Sequence, residues 1–290
     1  MRTAILTDTN TGVGVEELKK LGIFAIPMPV IIDGKDYLEG ESITHAKLYE
    51  KMLAGCDVMT SMPAPGRLMD TWDEILAQGY DELVYIPMSS GLSGSCHAAK
   101  QFAQEYSGRV YVADNHRISV TLFESVLDAK ALADQGMDAE EICKRLEQNG
   151  YHASIYIAVN TLAYLKKSGR VTAAGAAIAS VMNIKPVLTI QGGKLDAFAK
   201  TRGMKAAMKK IIDAVGKDLE IRFSDIPKSR LRIGTAGTFQ NPEDAENWTK
   251  MIADANPGIK VSYIPLSCSI ACHTGIDAVG VGISCIEKRK

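Results

Sequence analysis

The feature that most restricts what this chain can fold into is a succession of short apolar runs separated by helical patterns. Leu83-Val84-Tyr85-Ile86 and Val110-Tyr111-Val112-Ala113 are short, apolar and rich in β-formers, and read as buried strands. Between them Ala99, Phe102, Ala103 and Tyr106 recur at i, i+3, i+4 and i+7, the face of one helix. Strand, helix, strand in succession implies a parallel sheet with covering helices. The pattern begins at the start: Ala4-Ile5-Leu6-Thr7 reads as a strand, and Val15, Leu18 and Leu21 follow at helical spacing until Gly22. A second apolar run, Ile26 to Ile32, is broken by Pro27 and Pro29.

Asp138 with Glu141 reads as a helix cap leading into Ile142 and Leu146, and Gly150 closes that helix. The chain is 290 residues long, which suits two domains. The boundary is placed at Gly150: residues 1–150 form an N-terminal α/β domain and 151–290 a C-terminal α+β domain. The second half opens with a strand at Ile155 to Val159. Met204, Ala207, Met208, Ile211, Ile212 and Val215 then form one helical stripe. Asn241-Pro242 caps and starts a helix carrying Ala245, Trp248 and Ile252. Strands are predicted at 232–235, 261–264 and 281–286.

Composition narrows the function. Formal net charge is -1, so no long-range field favours nucleic acid or an anionic membrane surface. Val171 to Ile184 is the most apolar later stretch, but Thr172, Ser180 and Asn183 interrupt it and Lys185-Pro186 closes it. A membrane span needs about 20 apolar residues, so no stable membrane insertion is expected. The start, Met1-Arg2-Thr3-Ala4-Ile5-Leu6-Thr7-Asp8, does not read as a secretory signal. Cys56, Cys96, Cys143, Cys268, Cys272 and Cys285 form no Cys-x-x-Cys pair. Reduced thiols and a cytoplasmic location are the expectation.

Ser89-Ser90-Gly91-Leu92-Ser93-Gly94-Ser95 stands between a predicted strand and a predicted helix. Exposed N–H groups and hydroxyls at such a helix start make an anion site, and an ordinary capping loop reads the same way. Ser95 stands where the hydrolase elbow Gly-x-Ser-x-Gly needs its second glycine, and no phosphate-loop or dinucleotide fingerprint is present. Thr60-Ser61-Met62-Pro63 is a second hydroxyl-bearing turn entering a helix. Cys268, Cys272 and His273 match no usual zinc spacing, so no metal is expected. Leu162 to Val171 ends a short helix in a basic, glycine-hinged loop, which fits either a solvated helix end or a docking point. Ala173 to Ala179 is almost wholly small and apolar, and leaves room for tight helix packing or for a ligand.

Taken in order, these segments resemble the DegV family of bacterial fatty-acid-binding proteins. The resemblance covers essentially the whole chain. It rests on Thr7-Asp8-Thr9, Thr60-Ser61-x-Pro63, Ser89 to Ser95, Leu162 to Val171, Lys185-Pro186-Val187-Leu188 and His273-x-Gly275. It implies a parallel-sheet N-terminal domain, an α+β C-terminal domain, and an acyl chain in a tunnel with its carboxylate near the cleft. Thr60, Ser61, Ser93, Gly94, Arg202 and His273 would then meet the carboxylate. Arg170 would match a docking position for a separate ATP-dependent fatty acid kinase, which phosphorylates the bound acid to an acyl phosphate. On this reading the chain is a carrier without catalytic residues or cofactor. The residues themselves leave open a stand-alone phosphotransferase or esterase using Ser93 and His273, and a lipid-sensing regulator. The family shows His-x-Gly-Pro-Gly, whereas this chain has His273-Thr274-Gly275-Ile276-Asp277. That places a carboxylate soon after the histidine.

Overall fold

The computed structural model describes residues 2–177 and 184–289. The first half contains β1 (Thr3–Asp8), α1 (Val15–Lys20), β2 (Phe24–Ile26), β3 (Pro29–Ile32), β4 (Lys35–Leu38), α2 (His45–Leu53), β5 (Val58–Thr60) and α3 (Pro65–Ala77). It continues with β6 (Glu82–Ile86), α4 (Ser95–Phe102), β7 (Val110–Val112), α5 (Ser119–Asp134) and α6 (Ala139–Asn149). The second half contains β8 (Ala153–Ala158), α7 (Ala163–Ser168), α8 (Ala173–Ala176), β9 (Ile184–Ile190), β10 (Asp196–Arg202) and α9 (Met204–Ile221). β11 (Leu231–Gly237), α10 (Pro242–Ala255), β12 (Lys260–Tyr263), α11 (Cys268–Thr274) and β13 (Val279–Cys285) complete it. The small-residue stretch from Ala173 yields α8, and its continuation from 178 lies outside the described residues.

The parallel sheet inferred from sequence is present, with strand order β2-β1-β6-β7 and every pair parallel. One face packs on α3 and α4 through Leu68, Trp72, Cys96 and Ala99. The helix predicted to run through Tyr106 stops at Phe102, and a tighter 3-10 turn carries on to Tyr106. That turn sets the Tyr106 ring edge-on to Trp72 at 5.3 Å. The second half forms a six-stranded mixed sheet, β10-β9-β8-β13-β11-β12. The period of two decides its faces. On β8, Tyr156 and Ala158 join the core under α9 and α10, while Ile155 and Ile157 face inward to the other half. The third sheet, β4-β3-β5, is small and antiparallel, and shares a core with α2 and α11.

Helix α5 lies between the two large sheets, touching β1 on one side and β11 and β13 on the other. Its first turn sits so close to the six-stranded sheet that a Cβ on Gly234 would lie 2.4 Å from Val120. A Cβ on Gly282 would lie 2.6 Å from Thr121. Glycine at both strand positions makes room for the helix. Asp138 caps α6 as the sequence implied, accepting from the Glu141 N–H at 2.8 Å. Gly150 follows α6, and β8 opens the second large sheet. One core cluster nevertheless runs from Ile5 and Val84 through α5 to Ile157, Leu188 and Leu266. No helix among the described residues is long and apolar enough to cross a membrane.

Candidate functional site

A cavity of about 250 Å³ lies where the inward face of the six-stranded sheet, the loops that follow β1, β2 and β6, the start of α5 and helix α11 converge. Most of its wall is aliphatic: Leu92, Ile118, Ile155, Ile157, Ile190 and Val281 are typical. Hydroxyls, one imidazole and one guanidinium also border it. Thr60, Ser61, Ser93, Gly94, Arg170 and His273 all line this one cavity. They come from β5 and its exit, the loop before α4, the loop after α7, and α11.

The histidine is the most informative of them. Ser267 caps α11 by accepting from the Ile270 N–H at 3.2 Å, and His273 stands in the last turn. Its Nε2 and the Thr60 hydroxyl are 2.9 Å apart, tying α11 to β5. Its Nδ1 is buried and has no hydrogen-bond partner among the described residues. An unpaired buried polar atom costs roughly 1–3 kcal/mol, so this nitrogen calls for a partner. Arg170 is half-buried, with Nε donating to the Leu92 carbonyl at 3.4 Å and a terminal nitrogen donating to the Ser168 carbonyl. No carboxylate pairs with it among the described residues. The cavity border therefore carries one uncompensated positive charge and one unpartnered imidazole nitrogen.

The loop before α4 is built chiefly by its own serines. The Ser89 hydroxyl donates to the Gly192 carbonyl at 2.7 Å and accepts from the Gly91 N–H at 3.1 Å. A Cβ on Gly91 would come within 2.6 Å of both the Gly192 oxygen and the Gly193 Cα, so this loop can only meet the β9–β10 turn without a side chain there. The Ser93 hydroxyl accepts from the Ser95 N–H at 3.2 Å and lies 3.0 Å from the Ser95 hydroxyl. Ser93 thus supports the start of α4, and its hydroxyl is paired with Ser95 and not with His273.

Two expected positions differ from the sequence reading. Arg202 is exposed at the end of β10, opposite Ile184, and is not part of the cavity wall. Arg170, expected at an outer docking surface, borders the cavity, because Gly169 turns the chain back after α7 with φ +70°. Asp277 is exposed, accepts from the Gln240 side chain at 3.3 Å and lies off the cavity wall. The wall also includes Asn10 and Ser269, which sequence reasoning did not single out. Asn10 follows the Thr7-Asp8-Thr9 segment, and its side-chain oxygen accepts from both Ser267 and Ser269. Only the tertiary contact with α11 makes it a wall residue.

The local electrostatics carry a pH signature. Burial, and then the Arg170 charge, push the His273 imidazole down to about 4 from 6.5. Between those values the unfolded chain holds the extra proton, so this group adds stability as pH rises. Asp8 and Glu39, pushed up mainly by burial to about 6 and about 7, act in the opposite direction. The His273 share is isolated by difference. Raising pH from about 4.5 to about 6.5 should widen the stability gap between wild type and His273→Gln by about 2 kcal/mol. Urea unfolding at the two pH values measures it, and an equal gap at both would contradict the depressed imidazole.

Residues 2–285 match the model of the DegV family, whose own description is an uncharacterised protein. A DegV domain-containing protein of Deinococcus radiodurans is 29% identical over 284 residues, covering 98% of each chain. The structure resembles a Thermus thermophilus DegV family protein described by its fatty acid binding, with TM-score 0.86 and 27% identity over 99% of this chain and 100% of the other. It also resembles Bacillus subtilis DegV, described as a fatty acid binding protein, with TM-score 0.85 and 25% identity at the same coverage. With the family model matching nearly its whole length, this chain belongs to the DegV family.

Proposed function

We propose that this protein holds a long-chain fatty acid in the cavity and presents its carboxylate to a separate ATP-dependent kinase, which forms the acyl phosphate in the cytoplasm. The carrying observation is the coincidence on one aliphatic cavity of the unpaired Arg170 charge and the unpartnered His273 Nδ1. A carboxylate answers both: its charge suits the guanidinium, and its oxygen accepts from Nδ1–H in the tautomer where Thr60 donates to Nε2. Thr60, Ser61, Ser93 and Gly94 complete the proposed head-group contacts. The relatives described as fatty acid binding support the same ligand class.

Magnitudes favour the tail as the source of affinity. Each buried methylene contributes about 0.8 kcal/mol, so a long acyl chain offers on the order of 10 kcal/mol before association entropy is subtracted. A charge-assisted hydrogen bond adds roughly 1.5–3 kcal/mol and chiefly fixes orientation. The carrier reading is favoured over an esterase because Ser93 and His273 are hydrogen-bonded to Ser95 and Thr60 and not to each other.

Delipidated protein titrated calorimetrically with palmitic acid should bind one equivalent, and acid extraction of the untreated protein should release a fatty acid. Hydroxylamine trapping should detect acyl phosphate only when kinase and ATP are both added. Failure to bind palmitic acid would overturn the carrier; acyl phosphate formed without added kinase would make the protein an enzyme.

A further inference from the structure

Behind the cavity wall, toward the small sheet, three side chains of different chemistry meet. Glu39 follows β4, His45 opens α2 and Cys268 opens α11. One carboxylate oxygen, one imidazole nitrogen and the thiol sulfur all lie within 4.8 Å of one another. The Glu39 Oε1 to His45 Nε2 distance is 3.9 Å. We propose that Glu39, His45 and Cys268 form a binding site for a divalent cation of the zinc class.

The donor set is the first argument. Oxygen, nitrogen and sulfur together suit a borderline cation such as zinc better than calcium or magnesium, which take oxygen alone. Bonds of about 2.0–2.3 Å in tetrahedral array set neighbouring donor atoms roughly 3.3–3.8 Å apart. The observed separations, within 4.8 Å, need to contract by at most about 1.5 Å to meet that geometry.

Charge is the second argument. Glu39 and Asp8 are 6% and 0% exposed, two carboxylates held away from water. Among the described residues no lysine or arginine pairs with either carboxylate. The His45 imidazole, 3.9 Å away, is the basic side chain recorded beside Glu39. A proton or a metal ion must supply the missing charge. The Thr9 hydroxyl donates to Glu39 Oε2 at 2.8 Å, while Oε1 accepts from the Cys268 backbone N–H and faces His45 at 3.9 Å.

Access and proton balance are workable. The His45 side chain is 37% exposed, which gives an ion a route from solvent. Its Nε2 stands 2.9 Å from the Leu266 carbonyl, and that contact yields to the metal bond. Coordination forms the Cys268 thiolate and releases its proton, with any proton on Glu39, to solvent. The ion would tie the first residue of α11 to the β4–α2 segment. Ser269, Ile270 and His273 of the same helix line the cavity, so the tie would brace its wall.

The proposal is independent of the acyl ligand and is tested on the metal alone. Purified protein, stripped with a chelator, is titrated with cobalt(II). A thiolate-to-cobalt charge-transfer band in the near ultraviolet should saturate at one equivalent and be displaced by zinc(II). Cys268→Ser should abolish the band, and Cys56→Ser, at the most exposed thiol, should retain it. His45→Gln alters a partly exposed side chain and should weaken cobalt affinity at least tenfold. No band in the wild type, a band that survives Cys268→Ser, or unchanged affinity in His45→Gln each overturns the site. Should Cys268→Ser fail to fold, the His45→Gln titration decides alone.

Discussion

Ala236→Phe is expected to weaken palmitic acid binding by on the order of 100-fold or more while the fold survives. Ala236 lies on β11, is 3% exposed and borders the aliphatic part of the cavity. A phenyl ring there takes the space of several methylenes, and losing about four to five of them at about 0.8 kcal/mol each removes roughly 3–4 kcal/mol of binding. Inserting bulk into a filled core costs about 1–3 kcal/mol, and an existing void softens that cost. The measurement pairs a palmitic acid titration with a thermal melt on one preparation. Octanoic acid, which reaches less far, should lose much less than palmitic acid. If palmitic acid binds Ala236→Phe as it binds the parent, the tail lies elsewhere.

Much of the architecture was legible because its signals are local. Leu83 to Ile86 and Val110 to Val112 pair in parallel through β6 and β7, as short apolar runs flanking a helical stripe imply. Asp138 and Asn241 cap the helices they were read to cap. Helix α5 left no such signal. Buried between two sheets, it carries Val120, Leu122, Val126, Ala129 and Leu132 in the core and has little polar face to set a period. Its start is also unmarked, since Ile118 gives no side-chain cap and Ser119 has φ +55°. The small sheet was half legible: Pro29 to Ile32 read as an apolar run, but its partners are fixed by contact with α11.

The site divides along the same line. Thr60, Ser93 and His273 lie in or beside segments whose glycine, proline and hydroxyl composition marks them individually. Their convergence depends on the Thr60–His273 hydrogen bond, which joins residues 213 positions apart. Glu39 and Cys268 are separated by 229 positions, so no spacing rule could pair them. Arg202 and Arg170 show the limit most plainly. Both are arginines near glycines, and only the fold sets one at an exposed strand end and the other at the cavity.

Arg170→Ala separates two roles that the sequence reading had kept apart. A residue confined to a docking surface would leave lipid affinity within about 0.5 kcal/mol when truncated. The structure sets Arg170 on the cavity border beside His273, whose imidazole its charge helps to depress. Removing it should therefore weaken palmitic acid binding by about 1.5–3 kcal/mol, roughly 10- to 150-fold, the range of a hydrogen bond to a charged group. Arg170→Lys should recover part of that loss, because the charge remains while the planar two-pronged donor is gone. Palmityl alcohol, which keeps the chain without the charge, should bind wild type and Arg170→Ala alike. With saturating lipid and added kinase, acyl phosphate formation then reports docking alone. Unchanged palmitic acid affinity in Arg170→Ala would remove Arg170 from the head-group site. A normal rate at saturating lipid would remove it from kinase docking. The guanidinium has one free end and a partly exposed position. Both measurements are needed, because a carboxylate held at the cavity mouth and a partner reaching for it would compete for the same few donors.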